Sequence, residues 1–494
     1  MTTVLGIDLG TQSVKVVFYD LGARETVAVE SAPLDLHQTD AGVAEQQAQW
    51  WIDALQQALQ SIGKGVRESV AAIGVSGQQH GFVPLDKAGE VQAPVKLWCD
   101  TSTGDECELI TEAFGGPDAC ISEVGNLILP GYTASKIRWF RDAHPDAYSQ
   151  MDCILLPHDY LNFYLTGQRC MEAGDASGTG FLDIRTRQWS EKMLAAIDPD
   201  RDLRDCLPAI EVENKAIGEL SAPVASTLGL PPGVPVSIGG GDNMMGAIGT
   251  GNVSPGVVTV SLGTSGTVFA YSDEPVIDPK GSIAAFCSST GGWLPLLCTM
   301  NCTVSTELMR NLLSADIASF EEQVSLAPRG SNGVITVPFF NGERTPNLPN
   351  AKGCVIGLDS KNTRSENLLR SAVEGATFAL RFGIDELSQL GVAAEQIILT
   401  GGGANSASWR QIVADICNTP VSVLKNGEGA AFGAALQAGG VLEGDRTGFS
   451  VMVKEHMDID SARSSEPQSS AASFYEDIYN DYQRAVEKVA ALYS

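Results

Sequence analysis

The sequence predicts an α/β protein built by duplication, and three observations predict it. Strand-like apolar runs alternate with helix-like runs along most of the chain, as an α/β architecture requires. A strand, turn and strand at residues 4–9, Gly10-Thr11-Gln12-Ser13 and residues 14–19 recurs roughly 250 residues later, with an apolar run 257–262, a Gly263-Thr264-Ser265-Gly266 turn and a second apolar run to residue 270. Glycine clusters stand between a strand-like and a helix-like run at Gly239-Gly240-Gly241 and again at Gly401-Gly402-Gly403.

Composition narrows the class. A chain of 494 residues exceeds one compact core and implies two or three domains. With 44% hydrophobic residues it has ample core material, and no apolar run reaches the roughly 18 to 20 residues of a membrane helix. The N-terminus opens directly into a strand pattern without a secretory signal, which points to the cytoplasm. The eleven cysteines are odd in number and scattered without a Cys-x-x-Cys pair, so neither a disulfide framework nor a zinc site is expected, and Cys298 and Cys302 read as small buried residues. A net charge of -28 disfavours nucleic acid and anionic lipid as partners. It also disfavours a polyanion such as ATP, unless a divalent cation accompanies it and backbone donors receive it.

In chain order, the first hairpin turn offers successive backbone N–H groups and two hydroxyls to phosphate oxygens, and Asp8 stands at its lip, where a hydrated divalent cation can be held. Residues 47–62 predict an amphipathic helix with Trp51, Leu55, Ala58, Leu59 and Ile62 on its packed face. The apolar run 72–76 delivers Gly77-Gln78-Gln79-His80-Gly81, polar groups placed to bind hydroxyls, and residues 94–97 lead similarly into Trp98-Cys99-Asp100. The second hairpin repeats the phosphate-binding scheme. The cluster at 401–403 invites close approach of a ligand to the backbone, with room for a flat ring such as adenine, before a helix over 409–416. Residues 460–473 read as a linker. The last helix places Phe474, Ile478, Tyr482, Ala485, Val489 and Leu492 on one face, which either docks on a domain or supplies a homodimer contact.

The centre of the chemistry is Asp242. Three glycines strip the side chains from the backbone before it, so that a substrate can approach the main chain, and its carboxylate can face a ligand. Alternatively, Asp242 only caps a helix beginning at Asn243.

The ordered set Ile7-Asp8-Leu9-Gly10-Thr11, Gly239-Gly240-Gly241-Asp242-Asn243, Ser261-Leu262-Gly263-Thr264-Ser265-Gly266 and Gly401-Gly402-Gly403-Ala404 resembles the FGGY carbohydrate kinases. Within that family the chain resembles the xylulokinase branch, through Pro130-Gly131-Tyr132-Thr133, Leu155-Leu156-Pro157-His158-Asp159, Gly174-Asp175-Ala176-Ser177-Gly178 and Gly342-Glu343-Arg344-Thr345-Pro346. The resemblance implies two ribonuclease-H-like domains of the actin and hexokinase type, with sugar in the cleft and ATP mostly on the second. It suggests an N-terminal sugar-binding domain over 1–250, a C-terminal ATP-binding domain over 251–445, and a linker with an amphipathic helix over 446–494. By the same resemblance Asp242 is the general base. Gln79, His80, Trp98 and Tyr132 join it in binding sugar, and Asp8 holds Mg2+ through water. Thr11, Gln12, Lys15, Gly263 and Thr264 face the phosphates, while Gly402, Gly403 and Asn405 meet adenosine. The implied reaction is ATP-dependent phosphorylation of a ketopentose, D-xylulose to D-xylulose 5-phosphate. The alternatives are another ketose or polyol, such as ribulose or glycerol, or a sensor of the same fold without catalysis. Two departures bear on the substrate: Gln79 stands where many bacterial xylulokinases have Met, and Trp98-Cys99-Asp100 lacks the arginine that follows in many relatives.

Overall fold

A computed structural model describes residues 2–493 apart from 426, 428 and 445–447. The chain forms two compact units: Met1–Ser254 with Ser272–Leu294 and Glu428–Met457, and Pro255–Tyr271 with Pro295–Gly427 and Asp458–Ser494.

The first unit is organised on a seven-stranded sheet. β1 (Thr3–Leu9) buries Val4, Leu5, Ile7 and Leu9 completely, as expected of a strand covered on both faces. It pairs antiparallel with β2 (Ser13–Asp20) from Thr3↔Asp20 to Leu9↔Val14, so the hairpin read from sequence is present with its short turn intact. β2 pairs antiparallel with β3 (Glu25–Pro33). α1 (Ala48–Gln60) packs on β2 and β3 through Trp51, Leu55, Ala58 and Leu59. On the other side of β1 lies β4 (Val70–Gly77), in parallel. α2 (Thr133–Ala143) and α3 (Pro157–Thr166) follow, then the antiparallel pair β5 (Ala216–Glu219) and β6 (Pro235–Ser237). The two-residue strand β7 (Gly240–Gly241) lies parallel to the end of β4 and leads into α4 (Asp242–Gly249).

The second unit repeats the scheme. β8 (Gly256–Leu262), β9 (Gly266–Ala270) and β10 (Leu296–Thr299) form an antiparallel meander. After the long helix α5 (Ser365–Gln389), β11 (Ala394–Thr400) lies parallel to β8, α6 (Ala407–Cys417) follows, and β12 (Val421–Val423) extends the parallel side. Three antiparallel strands with a parallel strand beside the first is the order of β1 to β4, so the duplication is visible in both sheets.

The chain first passes from one unit to the other after Ser254, near the boundary at 250 that the sequence suggests, but two later segments return to the first unit. α7 (Gly429–Glu443) belongs to the first unit, where it packs on β1, β4 and α4. The reason is glycine: a Cβ on Gly6 would lie 1.9 Å from Ala431 O, one on Gly74 2.0 Å from Ala434 O, and one on Gly433 1.8 Å from Met245 O. Only bare backbone admits the helix this closely. Residues 272–294 also join the first unit, where the Asn126 side chain exchanges two hydrogen bonds of 2.9 and 2.8 Å with the Ala285 backbone, and Trp293 Nε1 donates to Ile184 O at 2.8 Å. The other expected boundary, residue 445, lies outside the described residues.

Residues 460–473 are more than a linker. Val421 and Ser465 exchange backbone hydrogen bonds of 2.9 and 2.8 Å, so this segment runs along β12. α8 (Ala472–Tyr493) buries Tyr475, Tyr479, Tyr482, Ala485 and Val489, whereas Phe474 and Leu492 of the expected face are exposed. Tyr475 sets the rotation, because its hydroxyl meets Arg370 Nη2 at 2.9 Å and Glu374 Oε1 at 2.8 Å on α5. Cys302 is buried, but Cys298 only partly. Among the described residues no helix is long and apolar enough to cross a membrane.

Candidate active site

The three glycines before Asp242 serve the protein's own packing. Gly239 has φ +76°, and a Cβ there would lie 2.5 Å from Val75 O. On Gly240 it would meet Ser289 Oγ at 2.6 Å and Met245 Cε at 2.7 Å, and on Gly241 the Gln79 Cγ at 2.7 Å. The expectation of backbone bared for a substrate is therefore corrected: the space is filled by β4 and by side chains of the same unit. The cap reading is corrected as well. α4 starts at Asp242 itself with Gly241 as N-cap, and Asp242 Oδ1 accepts from Asn243 N at 2.8 Å and Asn243 Nδ2 at 3.0 Å.

Asp242 retains some exposed surface. The protein packed around its carboxyl pushes the pKa up to about 7, the negative charges of Asp8 and Asp175 push the same way, and the Asn243 N–H pulls back. A carboxyl with that proton affinity is suited to accept a proton near neutral pH. Asp8, near the end of β1, accepts from Ser76 Oγ at 2.8 Å and lies opposite Lys15 in the β1–β2 register.

The loop after β4 brings further expected residues to Asp242. Gln79 and His80 are both buried, and Asn243 Nδ2 donates to Gln79 Oε1 at 2.9 Å, which ties this loop to the start of α4 beside Asp242. His80 has φ +66° and its ring lies 4.8 Å from that of Tyr132, centroid to centroid. Gly178 makes room for it, since a Cβ there would stand 2.1 Å from His80 Cε1. Trp98 Nε1 donates to Thr11 Oγ1 at 2.9 Å, and Thr11 Oγ1 donates to Gln78 Oε1 at 3.1 Å, so the first hairpin and the Trp98 loop share one network. Gln12 is exposed, and its carbonyl accepts from Leu34 N at 2.8 Å. Lys96 Nζ lies 2.9 Å from Asp100 and 3.1 Å from Glu45, with little side-chain exposure.

In the second unit the hairpin turn and the second glycine cluster meet. A Cβ on Gly401 would lie 2.7 Å from Leu262 O and 3.1 Å from Gly263 N, and one on Gly403 2.8 Å from Leu262 Cβ. Gly402, exposed like Gly401, is different in having nothing within 4 Å of a Cβ position. Thr264 is exposed too, while its carbonyl accepts from Cys302 N at 3.0 Å. Asn405 Oδ1 accepts from Arg463 Nη2 at 2.9 Å.

Several supporting residues escape sequence reasoning. His158 is fully buried with Nδ1 2.7 Å from Asp175 Oδ2 and Nε2 2.9 Å from Asp159 Oδ1. Burial lowers its pKa, but the two carboxylates override this and hold it well above the usual histidine value. Glu172 caps the turn before Asp175 by accepting from Gly174 N at 2.7 Å and from Asp175 N; burial pushes it up to about 7. Gln437 of α7 accepts from Ser237 Oγ and Gly239 N, each at 2.8 Å, and donates to Gly239 O at 3.0 Å. It clamps the backbone of the Asp242 loop from 198 residues away. The His158 and Asp175 segments stand out in the sequence only through the family resemblance, and Gln437 carries no local signal.

The model of the N-terminal domain of the FGGY family of carbohydrate kinases matches residues 3–249, and that of its C-terminal domain matches residues 258–440. A xylulose kinase from Haemophilus influenzae is 46% identical over 441 residues, covering 88% of this chain and 90% of that protein. One from Streptomyces coelicolor is 36% identical over 447 residues, covering 90% of this chain and 88% of its own length. Among solved structures, a xyloylose kinase from Brucella ovis matches with TM-score 0.91 and 30% identity over 99% of this chain and 100% of that one. A ligand-bound xylulose kinase from Lactobacillus acidophilus matches with TM-score 0.91 and 25% identity over 100% and 99%. The chain has the two-domain, actin- and hexokinase-like fold of these structures.

Proposed function

The chain belongs to the FGGY family of carbohydrate kinases, and on that premise we propose that it transfers the γ-phosphoryl group of ATP to the terminal primary hydroxyl of D-xylulose, giving D-xylulose 5-phosphate and ADP. The observation that carries the reading is Asp242, a carboxyl pushed up to about 7 and joined through Asn243 to Gln79. It takes the hydroxyl proton as the sugar oxygen bonds to phosphorus and the bond from phosphorus to the β-phosphate oxygen breaks. Phosphoryl transfer asks one positioned base of the protein and otherwise alignment and charge stabilisation. Gln79, His80, Trp98 and Tyr132 are assigned to the sugar.

ATP is assigned to the turns at Thr11, Gln12 and Lys15 and at Gly263 and Thr264, with Gly402, Gly403 and Asn405 toward adenosine. Asp8 is assigned to Mg2+, which characteristically keeps its waters and takes one or two carboxylates plus substrate phosphates; its carboxylate accepts from Ser76 Oγ at 2.8 Å and its charge acts on Asp242. The ion supplies charge neutralisation at the phosphates when bound. The proposed use of ATP supports a location in the cytoplasm. A homodimer through the exposed part of α8 is the quaternary proposal, tested by sedimentation at two concentrations.

The test of function is ADP release with Mg2+-ATP and D-xylulose, D-ribulose, L-ribulose, L-xylulose or glycerol. D-Xylulose is expected to give the highest kcat/KM. Preference for ribulose or glycerol moves the chain to another substrate of the family, and ADP release no faster than in water alone with every sugar overturns the kinase reading.

A further inference from the structure

Lys136 is a buried amine for which the proposed chemistry has no task. It lies on the first turn of α2, just after Tyr132, with no measurable exposure. Its donors go to backbone carbonyls: Nζ reaches His80 O at 2.8 Å and Gly131 O at 2.7 Å. Those carbonyls belong to two different loops, one carrying Gln79 and His80, the other ending at Tyr132. Thr133 Oγ1 adds a second donor to His80 O at 3.1 Å.

A lysine is rarely buried unless its ammonium is fully engaged, because desolvation disfavours the charged form. Here burial brings the pKa down to about 7, opposed by the negative charge of Asp100 and assisted by Lys96. His80 adds a second cost, since φ +66° is an uncommon conformation for a residue with a side chain. Two donors on its carbonyl hold that peptide plane, and the same ammonium fixes the distance to the Tyr132 loop. A core of plain packing would need neither the charge nor the strained residue.

We infer that Lys136 is a positioning residue for the sugar: by gripping the carbonyls of His80 and Gly131 it sets the spacing of the two loops whose side chains receive the substrate. The inference rests on the assignment of Gln79, His80 and Tyr132 to the sugar. D-Xylulose is titrated calorimetrically into wild type and Lys136→Met without ATP, and KM for ATP is measured alongside. The variant is expected to lose about tenfold or more in sugar affinity while KM for ATP stays within about twofold. Unchanged sugar affinity, or an equal loss for both substrates, overturns the inference. Thr133→Val removes only the second donor to His80 and keeps Lys136. It is expected to weaken sugar binding by about threefold with ATP unaffected, and it carries the test if Lys136→Met does not fold. Unchanged sugar affinity in Thr133→Val then overturns the inference. A wild-type protein that neither binds nor phosphorylates any ketopentose removes the site assignment and the inference together, whereas active wild type with unaltered variants removes only the role of Lys136.

Discussion

Two glycine triplets, each between a strand and a helix, have opposite structural economies. In Gly239-Gly240-Gly241 every Cβ position is filled, by Val75 O, by Ser289 and Met245, and by Gln79. In Gly401-Gly402-Gly403 the outer two are packed against Leu262, but the middle one faces open space. The first triplet packs the backbone that leads to the Asp242 carboxylate, which suits the proposed role as a base that must stay within hydrogen-bond reach of its proton. The second leaves one stretch of backbone accessible, which suits a ligand that lies on it. The same three letters therefore mean pre-organisation in one unit and access in the other.

The contrast can be broken most severely at Gly239. Gly239→Ala combines a positive φ with a backbone carbonyl at 2.5 Å, and is expected to destabilise by about 3 kcal/mol in urea unfolding. Gln437→Met comes next. It removes three hydrogen bonds from the same loop and is expected to cost about 2 kcal/mol, with kcat falling more than KM for either substrate changes.

Glu172 gives a pH signature. Its folded pKa of about 7 lies above the ordinary glutamate value, so the stability it lends is complete below that ordinary value and is lost as pH rises to about 7. Glu172→Gln is expected to flatten stability against pH over that window by about 1.4 kcal/mol per pH unit at most, read as Tm in a series of buffers. Smallest is Gly402→Ala, expected to change stability by less than about 0.5 kcal/mol while raising KM for ATP several-fold. A large loss of stability there would erase the distinction between the two triplets.

Much of the fold is legible in the sequence because its signals are local. Apolar runs flanking Gly10-Thr11 and Gly263-Thr264 specify both hairpins, and the period of Trp51, Leu55 and Ala58 specifies α1. The return of α7 to the first unit is not legible, because it depends on Gly6, Gly74 and Gly433 meeting carbonyls hundreds of residues away. The site divides the same way. Asp242 and Asp8 announce themselves as carboxylates beside glycine turns. Lys136, His158 and Gln437 act through burial and through partners distant in sequence, which no spacing rule reveals. The packing role of Gly239–Gly241 is hidden for a related reason: absence of side chains in a sequence does not say whether a ligand or the protein itself fills the space.

Asp242→Asn tests the central claim most directly, with turnover of D-xylulose and Mg2+-ATP binding measured on the same preparation. The account predicts that turnover falls by about 10³-fold or more, within the range for loss of a general base, while ATP affinity and Tm stay near wild type. Turnover within about tenfold of wild type would contradict it, leaving Asp242 as the first residue of a helix and no more.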